Sequence, residues 1–117
     1  MTNEPRLYNL QRLQEMGNGD TGFIKQVISI FLQNITIDVL ELVKACNAKE
    51  NKTIHFIAHK MKSSIDLMGI EKVRQEIRSI EQAAKSDTNP ELLNDKINFV
   101  HSIIQDVAKQ MKADFDL

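Results

Sequence analysis

Cysteine, glycine and proline are scarce in this chain. A single cysteine, Cys46, occurs among 117 residues. It excludes an internal disulfide and a zinc cluster built on cysteines, and it points to a reducing, cytoplasmic setting. Four glycines and two prolines are too few for a turn-rich β fold and favour long helices. No charge of one sign dominates: 15 basic and 16 acidic residues give a net charge of -1. A nucleic-acid partner wants a clustered positive surplus, so none is expected, and a polybasic membrane anchor is excluded on the same ground. Uninterrupted apolar runs are short, so no membrane-spanning segment is expected. The start, Met1-Thr2-Asn3-Glu4-Pro5, has no basic stretch leading into an apolar one and does not read as a signal peptide.

Hydrophobic residues make up 42% of the chain, enough for one modest core. Length and the absence of linkers or repeats predict one domain over residues 1–117. A short helix is expected around Leu7, Leu10 and Leu13. Gly17-Asn18-Gly19-Asp20 breaks it, with Asp20 able to cap the next helix. There Phe23, Val27, Ile30 and Phe31 recur at helical spacing, Ile24 and Ile28 widen the apolar side, and Asn34-Ile35-Thr36 suggests a joint or kink. Val39, Leu42, Val43 and Cys46 then repeat at i, i+3, i+4 and i+7. Asn51 is a candidate cap for a helix carrying Ile54, Ile57, Ala58, Met61, Ile65 and Met68, which Gly69 ends. A further helix carries Val73, Ile77, Ile80 and Ala84. Asn89 as cap and Pro90 as first residue start the last one, with Leu93, Ile97, Val100, Ile104, Val107 and Met111. Amphipathic helices with short joints predict an all-α fold: an antiparallel four-helix bundle with one or two additional N-terminal helices.

The segment from Asn51 to Met68 carries the candidate chemistry. At about 100° per residue, Ile54, Met61 and Ile65 face the core. His55, His59, Lys62 and Asp66 share one flank, and Ser63 lies just beyond them. Lys62 and Ser63, at i+3 and i+4, are the helical neighbours of His59. A solvent-facing imidazole is largely neutral and nucleophilic at cell pH. A lysine one turn away can offset the charge of a phosphoryl group carried on it, and a hydroxyl at the next turn can donate a hydrogen bond to it. Phe56 and Leu67 fall too far round for the core, so either the N-terminal helix covers them or they belong to a docking surface.

Plainer readings compete. Histidine and lysine at i, i+3 are common on surface helices. His55 and His59 at i, i+4 could hold zinc with Asp66 as a third ligand, but Phe56 follows His55 where zinc proteases place glutamate, so no metal is expected. Glu81 could pair with Arg78 or Lys85. His101 sits at the edge of the last helix's stripe and reads as structural. Cys46 reads as a packing residue. The chain shows neither a glycine-rich nucleotide loop nor an acidic cluster for magnesium.

The run Ala58-His59-Lys60-Met61-Lys62-Ser63-Ser64-Ile65-Asp66-Leu67-Met68-Gly69 resembles the signature of histidine-containing phosphotransfer (HPt) domains, the carriers of multistep two-component phosphorelays. The family pattern is Ala-His-x-Leu-Lys-Gly-Ser, followed by an apolar residue and a later glycine. The resemblance extends over nearly the whole chain. It implies that His59 is the phosphoacceptor, taking a phosphoryl group from the aspartate of one receiver domain and passing it to another. It implies that Lys62 supports that group. Glu81, beside Arg74 and Arg78, falls where the family often has Gln or Glu to hydrogen-bond the imidazole. Gly69 matches the closing glycine. Met61 replaces the usual leucine, a near volume-conserving change. Ser63 replaces a glycine that leaves room for the partner's active-site loop.

The implied protein is a phosphocarrier and not an enzyme in the usual sense. It has no cofactor of its own, the magnesium being in the partner. The implied partners are receiver domains of response regulators or hybrid histidine kinases. They would dock around His59, with Leu10, Leu13, Met16, His55 and Asp66 as candidate rim residues. A monomer is expected. The alternative, which the Ser63 departure keeps open, is a helical adaptor whose same face binds a partner while His59 is never phosphorylated.

Overall fold

A computed structural model describes residues 5–117. Residues Met1–Glu4, which carry most of the stretch read as no signal peptide, lie outside the described residues. The helices are α1 (Gln11–Met16), α2 (Thr21–Asn47), α3 (Asn51–Leu67), α4 (Glu71–Lys85) and α5 (Asn94–Phe115), with a 3-10 turn at Pro90–Leu93 before α5. Among the described residues there is no strand. Helices α2 to α5 form a ring in which α2 and α4 each touch α3 and α5. Cross-helix pairs fix the directions. His59 meets Glu81 while Asp66 meets Arg74, and Ile24 shares a groove with Phe115 while Cys46 meets Asn94. Residue numbers fall on one helix as they rise on the next, so these neighbours are antiparallel.

Capping explains most boundaries. The Asp20 carboxylate accepts from the Gly22 and Phe23 amides at 2.9 and 3.2 Å and starts α2. Asn89 caps the turn at Pro90 by accepting from the Glu91 amide. The true α5 begins four residues after Pro90, at Asn94, and not at the proline itself. Asn51 is the first residue of α3 and not its cap; its amide nitrogen instead donates to the Thr88 carbonyl at 3.1 Å and ties α3 to the α4–α5 loop. Gly69 closes α3 with φ +60. A side chain there would also collide with the N-terminal strap, because an added Cβ would stand 2.6 Å from the Asn9 carbonyl oxygen.

That strap replaces part of the expected first helix. Leu7 and Leu10 precede α1 and are not in it. The strap is pinned by Arg6 and Tyr8 to Asp114, by Gln110 to the Leu7 amide and Pro5 carbonyl, and by the Asn9 amide to the Met68 carbonyl. Leu10 and Leu13 are thereby driven into the core, where Leu13 has no exposed surface.

Helix α2 departs from its sequence reading in three ways. It runs unbroken through Asn34-Ile35-Thr36, where the Thr36 hydroxyl donates to the Leu32 carbonyl at 2.7 Å within the helix. Over its first half the buried face is Ile24, Ile28, Phe31 and Leu32, while Phe23 and Ile30 point outward and Val27 is half-buried; over its second half Val39, Leu42 and Cys46 are buried and Val43 is half-buried, as their spacing predicts. With apolar residues on nearly every side of the first half, periodicity could not choose its face; contact with α3 and α5 does. Third, by mean hydropathy α2 is long and apolar enough to cross a membrane, at 1.4 over its best window, although its uninterrupted apolar runs are short. A core helix passes the same test, and 39% of that window is buried inside the bundle.

Helices α3, α4 and α5 match their patterns. Ile54, Ile57, Ala58, Met61, Ile65 and Met68 are buried, as are Val73, Ile77, Ile80 and Ala84, and Leu93, Ile97, Val100, Ile104, Val107 and Met111. Fully burying each large aliphatic side chain stabilises by about 1.5–3 kcal/mol. The core thus clamps the face of α3 opposite His59.

Candidate functional site

The flank of α3 that carries His59 meets a matching flank of α4. Glu81 stands at its centre. One carboxylate oxygen lies 2.5 Å from His59 Nδ1, and the other lies 2.8 Å from Lys62 Nζ. The His59 side chain is 67% exposed, against 27% for Lys62 and 15% for Glu81. The acidic partner is therefore sheltered and the imidazole is presented to solvent.

Lys62, hydrogen-bonded to the Glu81 carboxylate, holds it below the usual carboxylate range; the bond from His59 adds to this, and partial burial opposes it. Glu81 is thus a fixed anion. An anion can only accept a hydrogen bond, so His59 Nδ1 carries the hydrogen, and in the neutral ring Nε2 carries the free lone pair. The exposed ring presents Nε2 as its nucleophilic atom.

His55 is one turn before His59. Its Nδ1 lies 3.2 Å from the Glu81 carbonyl oxygen, and its ring is half-buried. The two imidazoles stack at 6.2 Å between centroids, with 25° between planes. His55 donates to a neutral carbonyl where His59 donates to a carboxylate. His59 is also the more open of the two rings.

A second ionic group lies one turn beyond Lys62. Arg78 donates to Asp66 at 2.6 Å, and Arg74 stands 3.3 Å from the other oxygen of the same carboxylate. The Arg78 bond holds the Asp66 carboxyl below the usual range. On the opposite flank of α3, Lys60 pairs with the buried Asp38 of α2 at 2.9 Å.

Among the residues singled out from sequence, His59, Lys62 and Glu81 come together. The Arg78 or Lys85 pairing considered for Glu81 does not form; Arg78 turns to Asp66. Ser63 is exposed on the turn after His59. Two of the five rim residues, Leu10 and Leu13, are core residues, because the strap folds them inward. Met16 is 61% exposed. His55 and Asp66 are committed to α4, and Asp66 does not join the two histidines. Among the described residues no group of three or more His, Cys, Asp or Glu side chains is gathered as metal ligands would be. Phe56, at 65% exposure, is uncovered on the turn before His59. His101 lines a groove between α2 and α5. Cys46 is buried against Pro90 and Asn94, and burial raises its thiol above the ordinary value.

The contacts of His55, Asp66 and Lys60 were missed from sequence. The signal for one of them, Asp66, was present. His59, Lys62 and Asp66 on α3 run neutral, positive, negative; Arg74, Arg78 and Glu81 on α4 run positive, positive, negative. Laid antiparallel, Arg74 and Arg78 fall toward Asp66, and Glu81 falls toward His59 and Lys62.

No match was found among curated proteins or among solved structures. The family model described as the Hpt domain matches residues 26–113. That span takes in α2 from its second turn through nearly all of α5; the strap and α1 lie outside it, so the match is shorter than the near full-length resemblance expected. HPt domains are the histidine phosphotransfer modules of phosphorelays, and they carry phosphoryl groups to and from receiver domains. Over three-quarters of its length, from the core of α2 to the last turn of α5, this chain belongs to the Hpt domain family.

Proposed function

We propose that this protein is a phosphocarrier that accepts a phosphoryl group on His59 Nε2 from a receiver-domain aspartate and passes it to a second receiver. The observation that carries the reading is the 2.5 Å contact between Glu81 and His59 Nδ1. It leaves Nε2 bare on a side chain that faces solvent.

In the forward step the Nε2 lone pair attacks phosphorus in line with the aspartyl oxygen. The N–P bond forms as the P–O bond to aspartate breaks, and the carboxylate leaves. The ring keeps its Nδ1 hydrogen and becomes cationic, and Glu81 stabilises that charge. The second transfer runs the same exchange in reverse on another aspartate. Lys62 keeps Glu81 ionised and in place before transfer and offsets the charge of the phosphoryl group after it. Magnesium and the aspartate come from the receiver, while the helix contributes a positioned nucleophile. The receiver docks over the exposed face of α3 around His59, where Phe56, Lys60 and Ser63 are also open to solvent.

The test is to incubate the protein with a receiver domain charged by a small-molecule phosphodonor. An acid-labile, alkali-stable label is expected on wild type, with the phosphorus on Nε2 by NMR, and none on His59→Gln. Equal labelling of both proteins sinks the carrier reading. Receiver binding without label on either protein favours the adaptor reading that the Ser63 departure keeps open.

A further inference from the structure

Glu81 is held at three of its atoms, and only two of these holds belong to the reaction described above. Lys62 and His59 take its carboxylate oxygens at 2.8 and 2.5 Å. The third hold is His55, at 3.2 Å from the backbone carbonyl oxygen. A carbonyl can only accept, so His55 Nδ1 carries a hydrogen and donates it. A helical carbonyl has a second lone pair available for such a bond.

The position of this bond matters. His55 and His59 stand on successive turns of α3, and both reach the same residue of α4. One grips its main chain and the other the tip of its side chain. Two anchors a turn apart oppose both sliding of α4 along α3 and rolling of α4 about its own axis. A displacement of about 1 Å that carries the Glu81 side chain away from the ring would stretch the 2.5 Å bond to the limit of hydrogen bonding. It would also free the Glu81 carboxylate to leave the imidazole.

We propose that His55 is a positioning residue for the acceptor histidine. Through the Glu81 main chain it keeps the carboxylate in register with His59 and so holds Nε2 as the atom with the free lone pair. His55 does not touch the transferred group. This inference rests on the reading of His59 as the acceptor, but its first readout needs no phosphoryl group.

That readout is the tautomer of His59 in the unphosphorylated protein, from long-range nitrogen–proton NMR spectra above neutral pH. Wild type should show one dominant form with the hydrogen on Nδ1. His55→Leu should show a mixture of both forms and slow labelling by a charged receiver about three- to tenfold. His55→Asn places an amide nitrogen at the same distance from the backbone as Nδ1. It should restore the single tautomer and bring labelling to within about twofold of wild type. His55→Gln, whose amide nitrogen sits one bond further out, should behave like His55→Leu and serves as the break if the leucine variant does not fold.

The proposal is overturned if the breaking variants keep the wild-type tautomer and rate, or if His55→Asn loses as much as they do. If wild type takes no label at all, the carrier reading fails; the tautomer spectra then still decide the role of His55.

Discussion

The two long seams of the bundle are built differently. Between α3 and α4 the contact is edged with charge: His59 and Lys62 meet Glu81, and Asp66 meets Arg74 and Arg78. Between α2 and α5 no ion pair crosses among the described residues. Val39, Leu40, Ile104 and Ala108 line an open groove there, with His101 and Lys109 along it. Apolar packing is non-directional and tolerates small slides. Short charge-assisted bonds have strict distances and angles and tolerate little. The seam that holds the candidate nucleophile is thus the one whose register is set by directional bonds.

The comparison can be broken most forcefully at Gly69, the turn joining α3 to α4. Gly69→Ala forces a Cβ onto a backbone at φ +60 and against Asn9. The backbone term costs about 1–2 kcal/mol, and displacement of the strap should bring the loss to about 3 kcal/mol by urea denaturation.

Next comes the ionic edge. Asp66→Asn should cost about 1.5–3 kcal/mol at neutral pH, the usual range for hydrogen bonds to charged groups. Because the folded-state carboxyl is depressed below its unfolded value, this stabilisation is present above the unfolded value of about 4 and is lost as pH falls through the lower folded one. Wild type and variant should therefore converge in thermal melts near the acid end, and a gap that does not narrow there would assign the loss to packing.

Glu81→Gln keeps the size of the side chain and removes the anion. It should slow labelling of His59 about tenfold while leaving receiver binding unchanged, which stopped-flow transfer and a binding titration separate. A variant that loses binding and rate together would place Glu81 in docking instead. The smallest effect is expected on the other seam. Leu40, 51% exposed at the groove, should tolerate Leu40→Ser within about 0.5 kcal/mol and without change in transfer; a larger loss would show that the groove carries more of the fold than its openness suggests.

Helix α3 was readable from its pattern, because polar and apolar residues divide it sharply. The first half of helix α2 was not, since Phe23, Ile24, Val27, Ile28, Ile30 and Phe31 surround it. Leu10 and Leu13 failed as rim residues for a related reason: a leucine at a short helix reads alike whether a strap turns it in or out, and the strap is tied down by Asn9 bonding to Met68.

By itself the sequence determined the apolar faces of α3, α4 and α5, through spacing that acts within a few residues. It also placed His59, Lys62 and Ser63 on one accessible flank of α3. Tertiary structure decided which face of the first half of α2 is inside, that Leu10 and Leu13 are core, and that His55, His59 and Lys62 all converge on Glu81. Those outcomes depend on how helices lie against one another. A contact between residues 22 positions apart, such as His59 with Glu81, leaves no mark in local periodicity.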